Sequence, residues 1–126
     1  MKIALTSIFV NDVDAAFAFY TQVLGFAERM YMPQMRLAIV ISPEQPQGTG
    51  LLLSPCDNEL GRNFQQGLYA AGIPAMVMGT DDITHDYQKL IEKGVQFKAA
   101  PVKTQWGTQA LFDDGCGNYI QLHQMG

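Results

Sequence analysis

The stretch Ile3–Gly25, IALTSIFVNDVDAAFAFYTQVLG, decides how the rest of the chain is read. Ile3 to Val10 is apolar and rich in β-branched residues, admits only Thr6 and Ser7, and stops at the turn-forming pair Asn11-Asp12, which predicts a buried strand. Asp12 is placed to cap the free N–H groups of a helix running from Val13 to about Leu24, and Gly25 supplies the left-handed residue that ends it. Val13, Ala16, Phe17, Tyr20 and Leu24 recur at three- and four-residue steps. One helix face is therefore apolar and must lie on a sheet.

Downstream, Phe26 to Tyr31, Met35 to Ile41 and Gly50 to Ser54 read as strands broken by Pro33 and the Pro43 to Gly48 loop. The second half repeats the order. Ile73 to Gly79 is strand-like, Asp81 or Asp82 caps a helix with an apolar stripe of Ile83, Tyr87, Leu90 and Ile91, and Gly94 ends it. Val95 to Lys98, Gln105 to Phe112 and Tyr119 to Gln124 supply three more strands, with Asp113 to Asn118 as a turn. A shift of about seventy residues lays Asp12 on Asp82 and Val13 on Ile83, so the repeat is architectural. Module 1 spans about 1–56 and module 2 about 73–126; between them Asn63 to Gly72 reads as a short helix with Phe64, Leu68 and Ala71 on one side.

The chain has 126 residues, 48% of them apolar and 16% charged, with a formal net charge of −4. One domain of this size buries roughly two-thirds of its unfolded surface and needs no staples. The acidic balance and the lack of a Lys/Arg cluster exclude a nucleic-acid footprint. No run approaches the roughly 18 apolar residues of a membrane span, and Asn11-Asp12 interrupts the amino-terminal apolar run too early for a signal peptide. Cys56 and Cys116 stand in neither disulfide nor zinc spacing, which leads to the expectation of a reduced, cytoplasmic protein.

Three features together resemble the vicinal oxygen chelate superfamily of glyoxalases, bleomycin-resistance proteins and extradiol dioxygenases: the doubled β-α-β-β-β order; Val10-x-Asp12 followed by Phe19-Tyr20 and Val23-Leu24-Gly25-Phe26; and Trp106-Gly107 followed by Phe112-x-Asp114-x-x-Gly117-Asn118-x-Ile120-Gln121-Leu122. Where that family usually has Asp-Pro, this chain has Asp114-Gly115. The resemblance covers nearly all of the chain. It implies an α+β fold in which two β-α-β-β-β modules form a cup-shaped, curled mixed sheet with helices on the outer face, as a single domain over 1–126. It does not name a reaction, because the fold hosts many.

Strand alternation sorts side chains between the helices and the cup. Ile8 and Val10 pack under the first helix, leaving Leu5, Ser7 and Phe9 in the cup. Ile120 and Leu122 are core, leaving Tyr119, Gln121 and His123; Met76 and Met78 are core, leaving Ala75, Val77 and Gly79. Metal-dependent relatives hold an ion through four residues, usually His, Glu, His and Glu, and the resemblance places those positions at Leu5, Leu52 within Leu51 to Leu53, Ala75 and Gln121. Three apolar side chains and one amide make no divalent-cation site. Hence no cofactor is expected; the alternative is a metal such as Zn, Ni, Fe or Mn held by ligands elsewhere.

The expected ligand-binding residues are Leu5, Ser7, Phe9, Leu52, Ala75, Val77, Trp106, Tyr119, Gln121 and His123. His123 is the one catalytic candidate, able to bind or move a proton for a ligand, though three residues from the chain end it equally suits an exposed rim. His85 lies opposite an apolar stripe and reads as a solvated imidazole. Asp113 and Asp114 read as turn chemistry rather than an acid pair. The leading expectation is a metal-independent, homodimeric binder of apolar or aromatic small molecules resembling the bleomycin-resistance branch. The alternative is a glyoxalase-like lyase or isomerase, or a dioxygenase-related enzyme.

Overall fold

β1 (Leu5–Val10) leads into α1 (Val13–Ala18) through Asp12, whose carboxylate accepts from the Ala15 N–H at 3.1 Å. The computed structural model describes all 126 residues, which divide into two compact units, Met1–Asn63 and Phe64–Gly126.

In the first unit α1 does not continue as one helix to Leu24. It widens into a π turn over Phe19–Val23, where the Leu24 N–H reaches the Phe19 carbonyl at 3.1 Å. Thr21 donates its hydroxyl to the Phe17 carbonyl at 2.7 Å, a back-bond of the kind that bends helices. α1 buries Val13 and Ala16, and the widened turn still buries Tyr20. β2 (Ala27–Met32), β3 (Leu37–Ile41) and β4 (Gly50–Pro55) complete a sheet of order β1-β4-β3-β2, in which β1 and β4 run parallel and the other pairs antiparallel. Ile8, Val10, Ala38, Val40, Leu51 and Leu53 form its buried side. Each fully buried valine or leucine there, Val10, Val40 and Leu53, contributes about 1.5 to 3 kcal/mol.

The second unit repeats this plan. β5 (Met76–Gly79) is followed by α3 (Ile83–Glu92), and β5, β6 (Gln96–Phe97), β8 (Gly107–Asp113) and β9 (Tyr119–Gln124) form a sheet of order β5-β9-β8-β6, with β5 parallel to β9. The correspondence extends to the caps. Asp82, not Asp81, caps α3 by accepting from the His85 N–H at 3.0 Å, seventy residues beyond the Asp12 to Ala15 bond, and Gly25 and Gly94 share φ +88°. Asp82→Ala is therefore expected to cost about 1 kcal/mol in urea unfolding, the usual loss for an N-cap.

Three expectations are corrected. The segment before β8 forms a further strand, β7 (Val102–Thr104), paired with β8 in a hairpin, because Gly107 at φ +131° allows the chain to double back. α2 (Glu59–Ala71) begins four residues before the expected start and buries Gly61 and Gln65, leaving Phe64 59% exposed. Hydrophobicity misidentified its inner face because the Gln65 amide donates to the Cys116 carbonyl at 3.2 Å, which offsets burying a polar group. On α3, Ile91 is 44% exposed and so stands at the margin of the stripe. The Asp114-Gly115 departure also finds a reason: Gly115 sits at φ +71°, which proline cannot adopt.

No helix is long and apolar enough to cross a membrane. Cys56 and Cys116 form no disulfide and are half-buried and buried, respectively.

Candidate functional site: the open sheet faces

Each sheet has one face packed under its helices and one left open, and the alternation of side chains decides which residues stand on the open one. In the first unit Leu5, Ser7 and Phe9 alternate with buried Ile8 and Val10, and Ser7 pairs with Leu52, whose neighbours Leu51 and Leu53 are buried. Ile39 pairs with Leu52 from β3 and Met30 with Ile39 from β2, so this face is almost entirely hydrocarbon. Phe9 is not wholly free for a ligand. Its ring edge lies 3.2 Å from where a Cβ on Gly61 would stand, so the absence of a side chain there lets α2 approach the ring.

In the second unit Tyr119, Gln121 and His123 alternate with buried Ile120 and Leu122 on β9. Val77 pairs with Gln121 and Gly79 with His123 across the β5–β9 ladder, while Ala75 donates its N–H to the Tyr119 carbonyl at 2.8 Å. From β8, Leu111 pairs with Gln121 and Gln109 with His123. The Gln121 amide donates to the Gln109 side-chain carbonyl at 3.3 Å. His123 Nδ1 is buried and meets no hydrogen-bond partner. A buried nitrogen of that kind is costly unless something binds it.

Two residues stand differently from the expectation. Trp106 lies not on the strand face but on the β7–β8 turn, 74% exposed, with its backbone N–H donated to the Thr104 hydroxyl at 3.1 Å. Tyr119 is already engaged: Tyr69 of α2 stacks on it at 4.5 Å between centroids with planes 5° apart, and Lys98 Nζ stands 4.7 Å from the ring centre. Tyr69 donates its hydroxyl to Asp113 Oδ2 at 2.5 Å, and that bond, helped by Tyr119, holds the phenol protonated well above the usual tyrosine range. The pairing fastens α2 to the end of β8, a role that spacing in the sequence does not reveal.

Asp113 and Asp114 do turn chemistry, as their composition suggested. Asp113 Oδ1 accepts from the Gly115 N–H at 2.8 Å, and fully buried Asp114 accepts from Cys116 and Asn118. His85 is exposed on α3.

The four positions that the resemblance assigns to an ion hold two leucines, one alanine and one glutamine: Leu5 and Leu52 in the first unit, Ala75 and Gln121 in the second. Neither pair fits a divalent cation, since hydrocarbon offers no lone pair and an amide oxygen is a weak, neutral ligand. No group of three or more His, Cys, Asp or Glu side chains elsewhere is arranged to hold one.

A doubled β-α-β-β-β plan with one open face per sheet defines a class, and comparison with known proteins gives its family. The profile of the Glyoxalase/Bleomycin resistance protein/Dioxygenase superfamily matches residues 2–122, and the chain belongs to that superfamily. It is 43% identical over 126 residues to the uncharacterized protein YurT of Bacillus subtilis, covering 98% of this chain and 99% of that one. Among solved structures it resembles UcmS2 (TM-score 0.81, 30% identity, 98% of this chain and 97% of the other). It also resembles TnmS3, an antibiotic binding protein from Streptomyces (TM-score 0.77, 27% identity, 100% of this chain and 97% of the other).

Proposed function

We propose that this chain is a metal-independent binding protein for apolar or aromatic small molecules, of the antibiotic-sequestering kind, acting as a homodimer in the cytoplasm. The observation that carries the reading is the chemistry of the open faces. Leu5, Ile39 and Leu52 offer hydrocarbon, and Gln109, Gln121 and Ser7 offer neutral hydrogen-bonding groups that fix orientation without demanding charge. The likeness to TnmS3 supports it. Away from the open faces, Phe64 at 59%, Val102 at 55% and Trp106 at 74% exposure are large apolar groups that a second copy would shield, which supports the dimer. Two cysteines that form no disulfide, Cys56 and Cys116, suit a reducing compartment.

A second reading has one observation in its favour. His123 Nδ1, buried and without a partner, is a base that a lyase or isomerase of this superfamily would use to take a proton from its substrate.

Two measurements test the first reading. Protein purified without chelator is expected to carry no stoichiometric zinc, nickel, iron or manganese; a metal retained through dialysis and lost on Gln121→Ala would overturn metal independence. In a thermal-shift screen of planar aromatics, a true ligand at a hundred times its Kd adds about 2.7 kcal/mol and raises Tm by on the order of 10 °C. A flat response across quinones, thiols and peptide antibiotics counts against sequestration. Light scattering is expected to give twice the chain mass of 13.9 kDa.

A further inference from the structure

The open face of the first unit carries a cation that a hydrocarbon surface does not require. On β2, Glu28 pairs with Val40 and Met30 with Ile39, which leaves Arg29 as the extra residue of a β-bulge. A bulge re-aims the side chain it carries. The guanidinium turns back over the sheet to Gly50, where an added Cβ would stand 3.1 Å from Arg29 Nη1, 3.1 Å from Ile39 Cγ2 and 3.2 Å from Leu5 Cδ1. Gly50 has the same parity as Leu52, so Arg29 lies on the face already described, in space that only a glycine leaves open.

Beside it opens a cavity of about 400 Å³ lined by Lys2, Ile3, Ala4, Arg29 and residues 47–49. That lining holds two cations and no carboxylate, in a chain whose net charge is −4. Arg36 shows the contrast, since it is neutralised by a two-pronged pair with Asp57 at 2.8 and 2.9 Å. Arg29 has only the Gly48 carbonyl, at 3.5 Å, and Lys2 has no ion pair.

We propose that this cavity receives the anionic group of an otherwise apolar ligand: a carboxylate, sulfonate or comparable oxyanion held by Arg29 and Lys2, with the hydrocarbon body lying along Leu5, Ile39 and Leu52. Guanidinium presents paired N–H donors to such a group, and the low-charge face beside it accommodates the rest. The inference rests on the small-molecule reading above and narrows its ligand class to amphipathic acids.

The test compares two fluorescent probes with one ring system, anilinonaphthalene sulfonate and its uncharged parent phenylnaphthylamine, titrated against the full chain. The sulfonate is expected to bind saturably, to weaken with added salt, and to lose about tenfold or more in affinity in Arg29→Gln, with a smaller loss in Lys2→Gln and partial retention in Arg29→Lys. The parent is expected to bind all four proteins alike, which separates loss of charge recognition from loss of fold. If both probes bind and the sulfonate is indifferent to Arg29→Gln, or if both weaken equally, the anion site is overturned and the binding reading stands. If neither probe binds, the binding reading falls and the anion site with it.

Discussion

Gly107→Ala is expected to cost about 3 to 5 kcal/mol and to lower Tm by on the order of 10 °C or more in a thermal melt. Two independent effects add. Gly107 holds φ +131°, a backbone region that residues with a side chain rarely adopt, which alone costs roughly 1 to 3 kcal/mol. The added Cβ would also stand 2.3 Å from the Gln124 carbonyl oxygen and 3.2 Å from His123 Cε1. The nearer of these is backbone, so β9 must move. Because Thr108 pairs with Gln124 and Gln109 with His123, such a shift loosens the β8–β9 register just where His123 and Gln121 are presented. Gly115→Ala is the control: its φ is +71° but nothing lies within 4 Å of the new Cβ, so a loss of only about 1 to 2 kcal/mol is expected. Equal losses for the two variants would show that the contact with Gln124 is unimportant.

Asp114→Ala is expected to destabilise the protein by about 3 to 5 kcal/mol in urea unfolding, a cost comparable to breaking a buried ion pair. The carboxylate is fully buried and organises the β8–β9 turn: Oδ1 accepts from the N–H groups of Cys116 at 2.7 Å and Asn118 at 3.0 Å, and Oδ2 from the Asn118 amide at 3.0 Å. Cys116 and Asn118 are each 4% exposed, so alanine would strand their donors away from water. Asp114→Asn keeps an oxygen for the two backbone donors but sets its NH₂ against the Asn118 amide, so about 1 to 2 kcal/mol is expected. A full loss in Asp114→Asn, equal to that in alanine, would mean that the charge rather than the bonding pattern matters.

Much of the fold was legible because it is written in local chemistry. Capping aspartates at positions 12 and 82 and left-handed glycines at 25 and 94 mark the helix ends whatever surrounds them, and each reappears in the structure with matching geometry. Strand parity follows from the period of two, so residue order alone puts Leu5, Leu52, Val77, Gln121 and His123 on the open faces.

What periodicity does not encode is the partner of a polar group. Gln65 looks like a surface residue until the Cys116 carbonyl is placed beside it, and Phe64 looks like core until the helix is rotated by that bond. Tyr119 looks available for a ligand until Tyr69 is stacked on it from fifty residues away. Arg29 reads as an ordinary strand residue; only a bulge, a register fault between two strands, turns it onto the open face over Gly50. A glycine beginning an otherwise leucine-rich strand was the one available sign. The sequence by itself determined the family, the repeat and the apolar residues that alternate along the first unit's strands, because these depend on residue type and spacing along the chain. Only the tertiary structure decided which polar groups are paired, which ring faces are occupied and where an unpaired cation points, because those depend on atoms brought together from distant positions.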